Sequence, residues 1–262
     1  MIKWCSYCQH FMHEVEPFGR YVISHGICED CIPRGPVFGE AERRAADELA
    51  GVFPSLQGIA RSGSPDDRRR IRAERRRLGI RPMDLMMGML QPLLREIGDL
   101  WAAGAVTAGC EHRFSDLVGD LLNHFRPPGG SPAPEAPLDL LLLPARDNTH
   151  TLGLRMAEAY LSSTGLSVLT LLRGLAPREL IDLVDFHRPL GVGFAVALPN
   201  QLEQVARVAE ALKHLRVPPR QIFIGGPAIR PDGALPVCRT PLTICRDVRD
   251  LRELPGLLQT VS

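Results

Sequence analysis

Apolar residues recur at helical spacing through the first half of the chain. One stripe with intervals of three and four residues consists of Met83, Met87, Leu90, Leu94, Ile97 and Trp101. A second stripe consists of Leu117, Leu121, Leu122 and Phe125. Intervals of three and four place these side chains on one face of a helix. Residues 37–126 are therefore predicted to form a four-helix bundle.

The second half of the chain has a different pattern of apolar and polar residues. Short aliphatic runs begin at Leu138, Leu166, Gly191 and Gln221, and a last short run lies near residues 242–245. The segments between the first four runs have helical periodicity, and they predict helices over residues 154–163, 177–186 and 201–215. Unbroken aliphatic strands joined through helices are typical of a parallel sheet covered on both faces. Ligands bind such sheets at the carboxyl ends of the strands.

A segment rich in proline and glycine separates the helical half from the half with alternating strands and helices. Residues 126–137 read RPPGGSPAPEAP, a composition that favours neither a helix nor a strand. The predicted organisation is a cysteine module over residues 1–36, the bundle over 37–126, a linker over 127–137 and the sheet domain over 138–262.

Composition and charge narrow the class of partner. The chain has 262 residues, and 31 Lys and Arg nearly balance 30 Asp and Glu, so no global field attracts nucleic acid or an anionic membrane. The N-terminus lacks an apolar secretion segment, and no apolar run reaches the roughly 18 to 20 residues that a membrane helix needs. We expect a cytoplasmic protein with no membrane partner and no direct contact with nucleic acid.

One local charge cluster stands out from this balance. Residues 68–77 contain seven arginines. They favour a solvated helix face with internal ion pairs to Glu74. The alternative is a contact with nucleic acid or an acidic partner, whose binding would weaken steeply with salt.

Four cysteines near the N-terminus predict a metal site. Two C-x2-C pairs, nineteen residues apart, are formed by Cys5, Cys8, Cys28 and Cys31. This spacing suits a tetrahedral four-thiolate zinc site. Three nearby histidines are alternative ligands: His10, His13 and His25. The other cysteines, which are Cys110, Cys238 and Cys245, are predicted to be small buried apolar residues.

Four motifs in order carry a resemblance to a known family. They are GDLWAAGAVTAGCEH in the helical region, DNTHTLG after the first strand, FAVALPNQL on the third strand and Gly-Gly at the end of the fourth. Together they resemble the cobalamin-binding fold shared by methionine synthase, corrinoid methyl carriers and the light-dependent MerR-type carotenogenesis repressors. The resemblance covers the chain from about residue 40 onward. It implies a Rossmann-like (flavodoxin-like) cobalamin-binding domain that follows the helical bundle, with the zinc knuckle at the N-terminus.

The loop after the first strand would supply the cobalt ligand. In the family this loop reads acid-x-His-x-x-Gly, and the His is the lower axial ligand of cobalt. His150 matches that position, and Gly153 would let the backbone pass close to the corrin. Asn148 stands where an acid is usual, so it can orient the imidazole without supplying charge.

The nucleotide tail of the cofactor would enter a slot beside the sheet. The resemblance assigns Gly225 and Gly226 to this slot, where they would leave room for the base. A serine of the family hydrogen-bonds the tail from the third strand. Ala195 occupies the matching position here, so that hydrogen bond is lost.

The helical motif resembles the cap of the light-sensing repressors. By that resemblance Trp101 lies over the upper corrin face, and Glu111 and His112 contact the adenosyl group. The structural alternative is that Trp101 is a core residue at a helix end. Ala102 stands where the best-known repressors have a cobalt-binding His, so a bis-His photoproduct through that position is excluded. His112 and His124 are the alternative second ligands.

These features favour a cobalamin-binding sensory or regulatory protein. We expect adenosylcobalamin as a light-sensitive cofactor, no catalytic residues, and output through a signalling or transcription-factor partner. The alternatives are a corrinoid methyl carrier of a methyltransferase system, a haem or bilin sensor on the same architecture, and a zinc-stapled scaffold. A homo-oligomer stays an open alternative.

Overall fold

A computed structural model describes most of the chain in two compact units. The described residues are 1–17, 19–64, 66–125, 138–229 and 240–245, together with 250, 253, 254, 256 and 258. The units are Met1–Arg126 and Pro127–Ser262. The predicted linker at 127–137 and Cys238 lie outside the described residues. None of the helices described is both long enough and apolar enough to cross a membrane.

The first unit opens with a small sheet of order β2-β1-β3. Strand β1 (Ile2–Cys5) pairs antiparallel with β2 (Phe11–Glu14) and parallel with β3 (Ile23–Gly26). A 3-10 helix over Glu29–Arg34 follows. Trp4 is fully buried, so even this short module has a core.

The bundle follows this module, and the predicted helical fold is confirmed. Its helices are α1 (Glu40–Ser62), α2 (Asp67–Arg77), α3 (Pro82–Leu85), α4 (Gln91–Ala102) and α5 (Ala108–Phe125). A π-helical turn over Met86–Leu90 joins α3 to α4. The two therefore form one continuous helix, and the described bundle has four.

The first predicted apolar stripe is wrong in part. Met83 and Leu94 are only half-buried and Trp101 is exposed, whereas every residue from 84 to 90 is buried. Strands β1 and β2 contact the π-helical turn, so that turn has the small sheet on one side and the bundle on another. The wider turn also shifts the helical phase of the residues beyond it.

The small sheet approaches the helix closely at Gly88. A Cβ atom at Gly88 would lie 2.5 Å from Cγ and 2.7 Å from Cβ of Phe11. Because both atoms lie near the Phe11 backbone, the ring cannot move aside freely. A glycine in the middle of this helix is therefore a packing requirement of the cysteine module.

The second unit is a five-stranded, fully parallel sheet of order β5-β4-β6-β7-β8. Its strands are β4 (Leu140–Pro144), β5 (Val168–Thr170), β6 (Gly191–Ala195), β7 (Gln221–Gly225) and β8 (Thr243–Cys245). Its helices are α6 (Leu152–Ser163), α7 (Pro177–His187) and α8 (Pro199–Leu212). The predicted flavodoxin-like sheet is confirmed.

Alternating side chains cover both faces of this sheet. One face packs against α7 and α8, through residues such as Val184 and Val205. The other face packs against α6 and the C-terminal segment, through Leu161 and Leu258. The order of the strands places the topological switch point between β4 and β6, where ligands bind in this class of sheet.

We expect Gly88→Ala to destabilise the first unit by about 1–3 kcal/mol, because the added methyl group overpacks against Phe11. Urea unfolding followed by helical circular dichroism measures the change. Gly98→Ala is the matched control, since Gly98 lies on the same helix and a Cβ there meets nothing within 4 Å. The control should stabilise by up to about 1 kcal/mol. Equal effects of the two substitutions would contradict the packing described.

Candidate functional site

The loop after β4 lies at the switch point and is fixed by Asn148. The side chain of Asn148 is buried. Its amide nitrogen donates to the carbonyl oxygen of Ala195 at 2.9 Å, and its amide oxygen accepts from the backbone N–H of His150 at 2.9 Å. The backbone N–H of Ala145 donates to the same Ala195 carbonyl at 2.8 Å. One side chain therefore ties the β4 loop to the end of β6.

His150 lies at the surface of this anchored loop. It is exposed, and its backbone N–H is held by Asn148. It stands just before Thr151, the N-cap of α6. Gly153 in the first turn of α6 is exposed, and a Cβ there would meet nothing within 4 Å. An imidazole on a fixed backbone beside open space can present a ring nitrogen to a bound metal.

Asp147 contributes a turn to the loop. Its backbone is left-handed, with φ of 64°, a conformation that Asp and Asn tolerate better than most residues. Its carboxylate is exposed and lies 3.8 Å from Arg146. Asn148, and not Asp147, occupies the position that contacts the His150 backbone.

A strip of small residues runs along the α6 face of the sheet beside this loop. It consists of Gly191, Gly193 and Ala195 on β6 and Gly225 on β7. The strip begins at Gly191, at the start of β6, and side chains already fill this deep end. A Cβ at Gly191 would contact Leu140, Phe223 and Leu258. Ala195 and Gly225 at the shallow end stay half-buried. The strip is therefore open only near the carboxyl ends of the strands.

The two glycines that end β7 are required by the fold itself. A Cβ at Gly225 would lie 2.9 Å from the carbonyl oxygen of Cys245. Gly226 has φ of 116°, and a Cβ there would lie 2.4 Å from the carbonyl oxygen of Val196. Close backbone approach thus accounts for both glycines, whether or not they also border a slot.

Two exposed leucines flank the loop, and no sequence pattern singled them out. Leu172 follows β5 and Leu198 follows β6, and each is 54% exposed. Both lie at the carboxyl edge of the sheet, as His150 does. The available signal is an apolar residue two or three positions after the end of a strand, where a turn normally places a polar one. Exposed apolar residues at this edge suit a flat apolar ligand.

In the first unit, Trp101 lies at the exposed end of α4. Its side chain is 51% exposed, so the interpretation of Trp101 as a core residue is wrong. The adjacent residues 102–105 are small and exposed. The C-terminal end of α4 therefore presents an indole beside a surface of small side chains.

Glu111 and His112 lie in the first turn of α5. A carboxylate oxygen of Glu111 lies 3.5 Å from the His112 imidazole, and the Ser115 hydroxyl donates to the other oxygen at 2.7 Å. His112 is exposed. The pair thus offers a polar donor and acceptor to solvent, while Ser115 orients the carboxylate.

The four N-terminal cysteines form one cluster. Their sulfur atoms all lie within 4.8 Å of one another, and those of Cys8 and Cys28 are 3.7 Å apart. Tetrahedral zinc with Zn–S bonds of about 2.3 Å separates its sulfur ligands by about 3.8 Å. The histidine alternatives do not join this cluster among the residues that the structure describes. The geometry fits a four-thiolate metal site.

Backbone amides favour a thiolate at Cys5. Burial acts to raise the pKa of the Cys5 thiol, but N–H groups of Cys28, Cys8 and Tyr7 outweigh it and hold the pKa at about 7. Burial is the largest effect at Cys8 and raises its pKa. A cluster with one ready thiolate and further thiols beside it is suited to capture a cation.

The arginine-rich stretch is a helix whose cations are largely paired. Arg77 contacts Glu48 at 2.8 Å and Glu74 at 2.6 Å, and Arg68 contacts Asp120 at 2.5 Å. Arg69 and Arg70 pair with acidic residues three positions earlier. These pairs favour a solvated helix face over a nucleic-acid contact.

The prediction of buried apolar cysteines is confirmed for Cys110 and wrong for Cys245, which is only half-buried.

Comparison with known proteins identifies the fold. No protein-family model and no curated protein matches the sequence. The structure is similar to the Methanosarcina barkeri monomethylamine corrinoid protein, with a TM-score of 0.62, 11% identity, and coverage of 80% of this chain and 99% of that chain. The chain therefore shares the fold of a corrinoid protein.

Two weaker similarities were also found. The methanol:cobalamin methyltransferase complex of Methanosarcina barkeri matches with a TM-score of 0.38 and 15% identity, over 90% of this chain and 91% of that chain. A cobalamin-binding protein from Desulfitobacterium hafniense matches with a TM-score of 0.38 and 16% identity, over 77% of this chain and 98% of that chain. TM-scores this low carry no argument.

We expect Asn148→Asp to destabilise the second unit by about 1–3 kcal/mol, because a carboxylate would face the Ala195 carbonyl in place of a donor. Amide exchange over residues 145–151 should also accelerate. Asp147→Asn in the same loop is the control and should stay within about 0.5 kcal/mol. Unchanged stability of Asn148→Asp would show that the loop does not depend on this amide.

Proposed function

We propose that this chain binds cobalamin and that His150 donates a ring nitrogen to the lower face of the cobalt. The observation that carries the proposal is the exposed imidazole at the switch point, on a loop that Asn148 ties to β6. The fold shared with a corrinoid protein supports it. Ligation needs the neutral imidazole with its lone pair directed at the metal.

The neighbouring residues fit a large flat ligand. Leu172 and Leu198 offer apolar contacts at the carboxyl edge of the sheet. Ala195 and Gly225 leave the shallow end of the strip of small residues open for the nucleotide tail. Gly153, with open space above it, lets the first turn of α6 approach the macrocycle.

The finer proposal is a light sensor that uses adenosylcobalamin. In this proposal Trp101 would cover the upper corrin face, and Glu111 and His112 would contact the adenosyl group. These are the roles implied by the resemblance to the light-sensing repressors. The exposed indole in the last turn of α4 and the polar pair near the start of α5 support these roles. Bound adenosylcobalamin would supply a cobalt–carbon bond that visible light breaks. Output would pass through a signalling or transcription-factor partner.

The second candidate is a corrinoid methyl carrier, with a methyltransferase as its partner. The similarity to the monomethylamine corrinoid protein, which covers nearly all of that chain, favours it. In both the sensor and the methyl carrier, the chain would hold the cofactor without catalytic residues of its own. Absorbance spectra with adenosylcobalamin and methylcobalamin, before and after green light, separate the two. Haem and bilin, offered to the same protein, test the remaining alternatives.

For the N-terminal cluster we propose a structural zinc ion held by Cys5, Cys8, Cys28 and Cys31. The sulfur separations support four thiolate ligands. The backbone around the cluster is already turned toward it, since the N–H of Cys28 lies 3.4 Å from the sulfur of Cys5. Zinc has no redox chemistry of its own, so the ion would fix structure.

We expect His150→Ala to change the absorbance of the cobalamin complex to that of cobalt without a protein nitrogen ligand. The affinity for cobalamin should fall by at least about tenfold, because losing even an outer partner of a metal ligand usually costs about 10–100-fold. His214→Ala is the control, because His214 is exposed on the same unit after the last turn of α8. Identical spectra for both variants would refute ligation by His150.

We expect purified protein to contain one equivalent of zinc, measured by mass spectrometry. Cys8→Ser should lose most of it and destabilise the first unit by several kcal/mol, since structural zinc sites contribute apparent binding free energies of about 10–16 kcal/mol. Cys245→Ser, in the second unit, is the control and should retain the metal. Full zinc content in Cys8→Ser would contradict the four-thiolate site.

A further inference from the structure

The cysteine module packs along the helix whose last turn contains Trp101. Phe11 of β2 covers Gly88 in the π-helical turn. Further along the helix, the buried carboxylate of Glu14 contacts the guanidinium of Arg95. These two contacts lie about two helical turns apart, so the module supports the helix over a length and not at one point.

A third contact reaches the last turn of α4. The hydroxyl of Tyr21 donates to a carboxylate oxygen of Asp99 at 2.8 Å. Burial and the Asp99 carboxylate raise the pKa of Tyr21, so the hydroxyl keeps its proton. Asp99 lies two residues before Trp101 on the same helix. The module therefore contacts the segment that orients the indole.

The metal cluster closes the chain segment that makes these contacts. Phe11, Glu14 and Tyr21 all lie between Cys8 and Cys28. A metal bound by both cysteines would turn residues 9–27 into a closed loop. Closing a loop lowers the entropy of its open states, so the contacts of that loop with the helix form at lower cost.

We propose that metal binding at the cysteine cluster positions the Trp101 end of α4, with Tyr21 and Asp99 as positioning residues, and thereby strengthens cobalamin binding. The second half of this inference rests on the proposed cobalamin function. Coupling between two sites is reciprocal. Bound cobalamin must therefore raise the affinity of the cluster for the metal by the same factor.

The experiment uses the full chain and two readouts, amide exchange by mass spectrometry and the affinity for adenosylcobalamin. Tyr21→Phe should accelerate exchange over residues 95–107 while zinc content stays full. It should weaken adenosylcobalamin binding by about fivefold or more, the low end of typical coupling between sites. Zinc removal by a chelator should have the same effects in the wild-type chain. Added adenosylcobalamin should increase the fraction of zinc that the protein retains at equilibrium with the chelator.

Tyr7→Phe is the matched control. The Tyr7 hydroxyl donates to the carbonyl oxygens of Gly35 at 2.7 Å and of Val37, just past the end of the module, at 3.0 Å, and neither residue belongs to α4. This variant loses a comparable hydroxyl but should leave exchange over 95–107 and cobalamin affinity unchanged. A merely destabilised module would respond alike to both substitutions.

The outcomes separate this inference from the proposed function. Exchange over residues 95–107 that is the same in Tyr21→Phe and Tyr7→Phe overturns the positioning role. Faster exchange with unchanged cobalamin affinity overturns the coupling to the ligand. If the wild-type chain binds no cobalamin, the proposed function fails and the coupling to the ligand fails with it. The exchange data still decide the positioning role in that case.

Discussion

The amide of Asn148 is the contact on which the candidate cofactor site depends. It donates to the end of β6 and accepts from the backbone of His150, and so it joins two strands at the switch point of the sheet. A carboxylate cannot make both bonds, because it has no donor for the Ala195 carbonyl. The pair of bonds observed here therefore needs an amide at position 148.

The local pattern of apolar residues along the sequence predicted most of the fold. Strands buried on both faces are continuously aliphatic, so all five strands of the parallel sheet were visible, as was the helical period of the bundle. The π-helical turn was not visible, because one extra residue in a turn leaves no mark on composition. The docking of the cysteine module was also missed. It depends on Phe11 meeting Gly88, a contact between residues 77 positions apart.

The parts of the candidate sites that lie close together in the sequence were predicted. Four cysteines at knuckle spacing came together as expected, and His150 lies on the loop that its motif indicated. The partners that fix or surround these residues belong to other segments. Ala195 accepts from Asn148 only because β6 pairs with β4. The apolar edge formed by Leu172 and Leu198 exists only once β5 and β6 flank β4. Gly225 and Gly226 also serve backbone packing, which their sequence alone does not reveal.

Electron paramagnetic resonance of the protein with bound cob(II)alamin tests the central claim most directly. An axial nitrogen splits each cobalt line, into triplets for nitrogen-14 and into doublets for nitrogen-15. If His150 is the ligand, protein grown with nitrogen-15 histidine and loaded with unlabelled cofactor will show doublets. Triplets in the labelled protein would mean that the cofactor keeps its own base, and unsplit lines would mean that no nitrogen is bound. Either result would contradict the account.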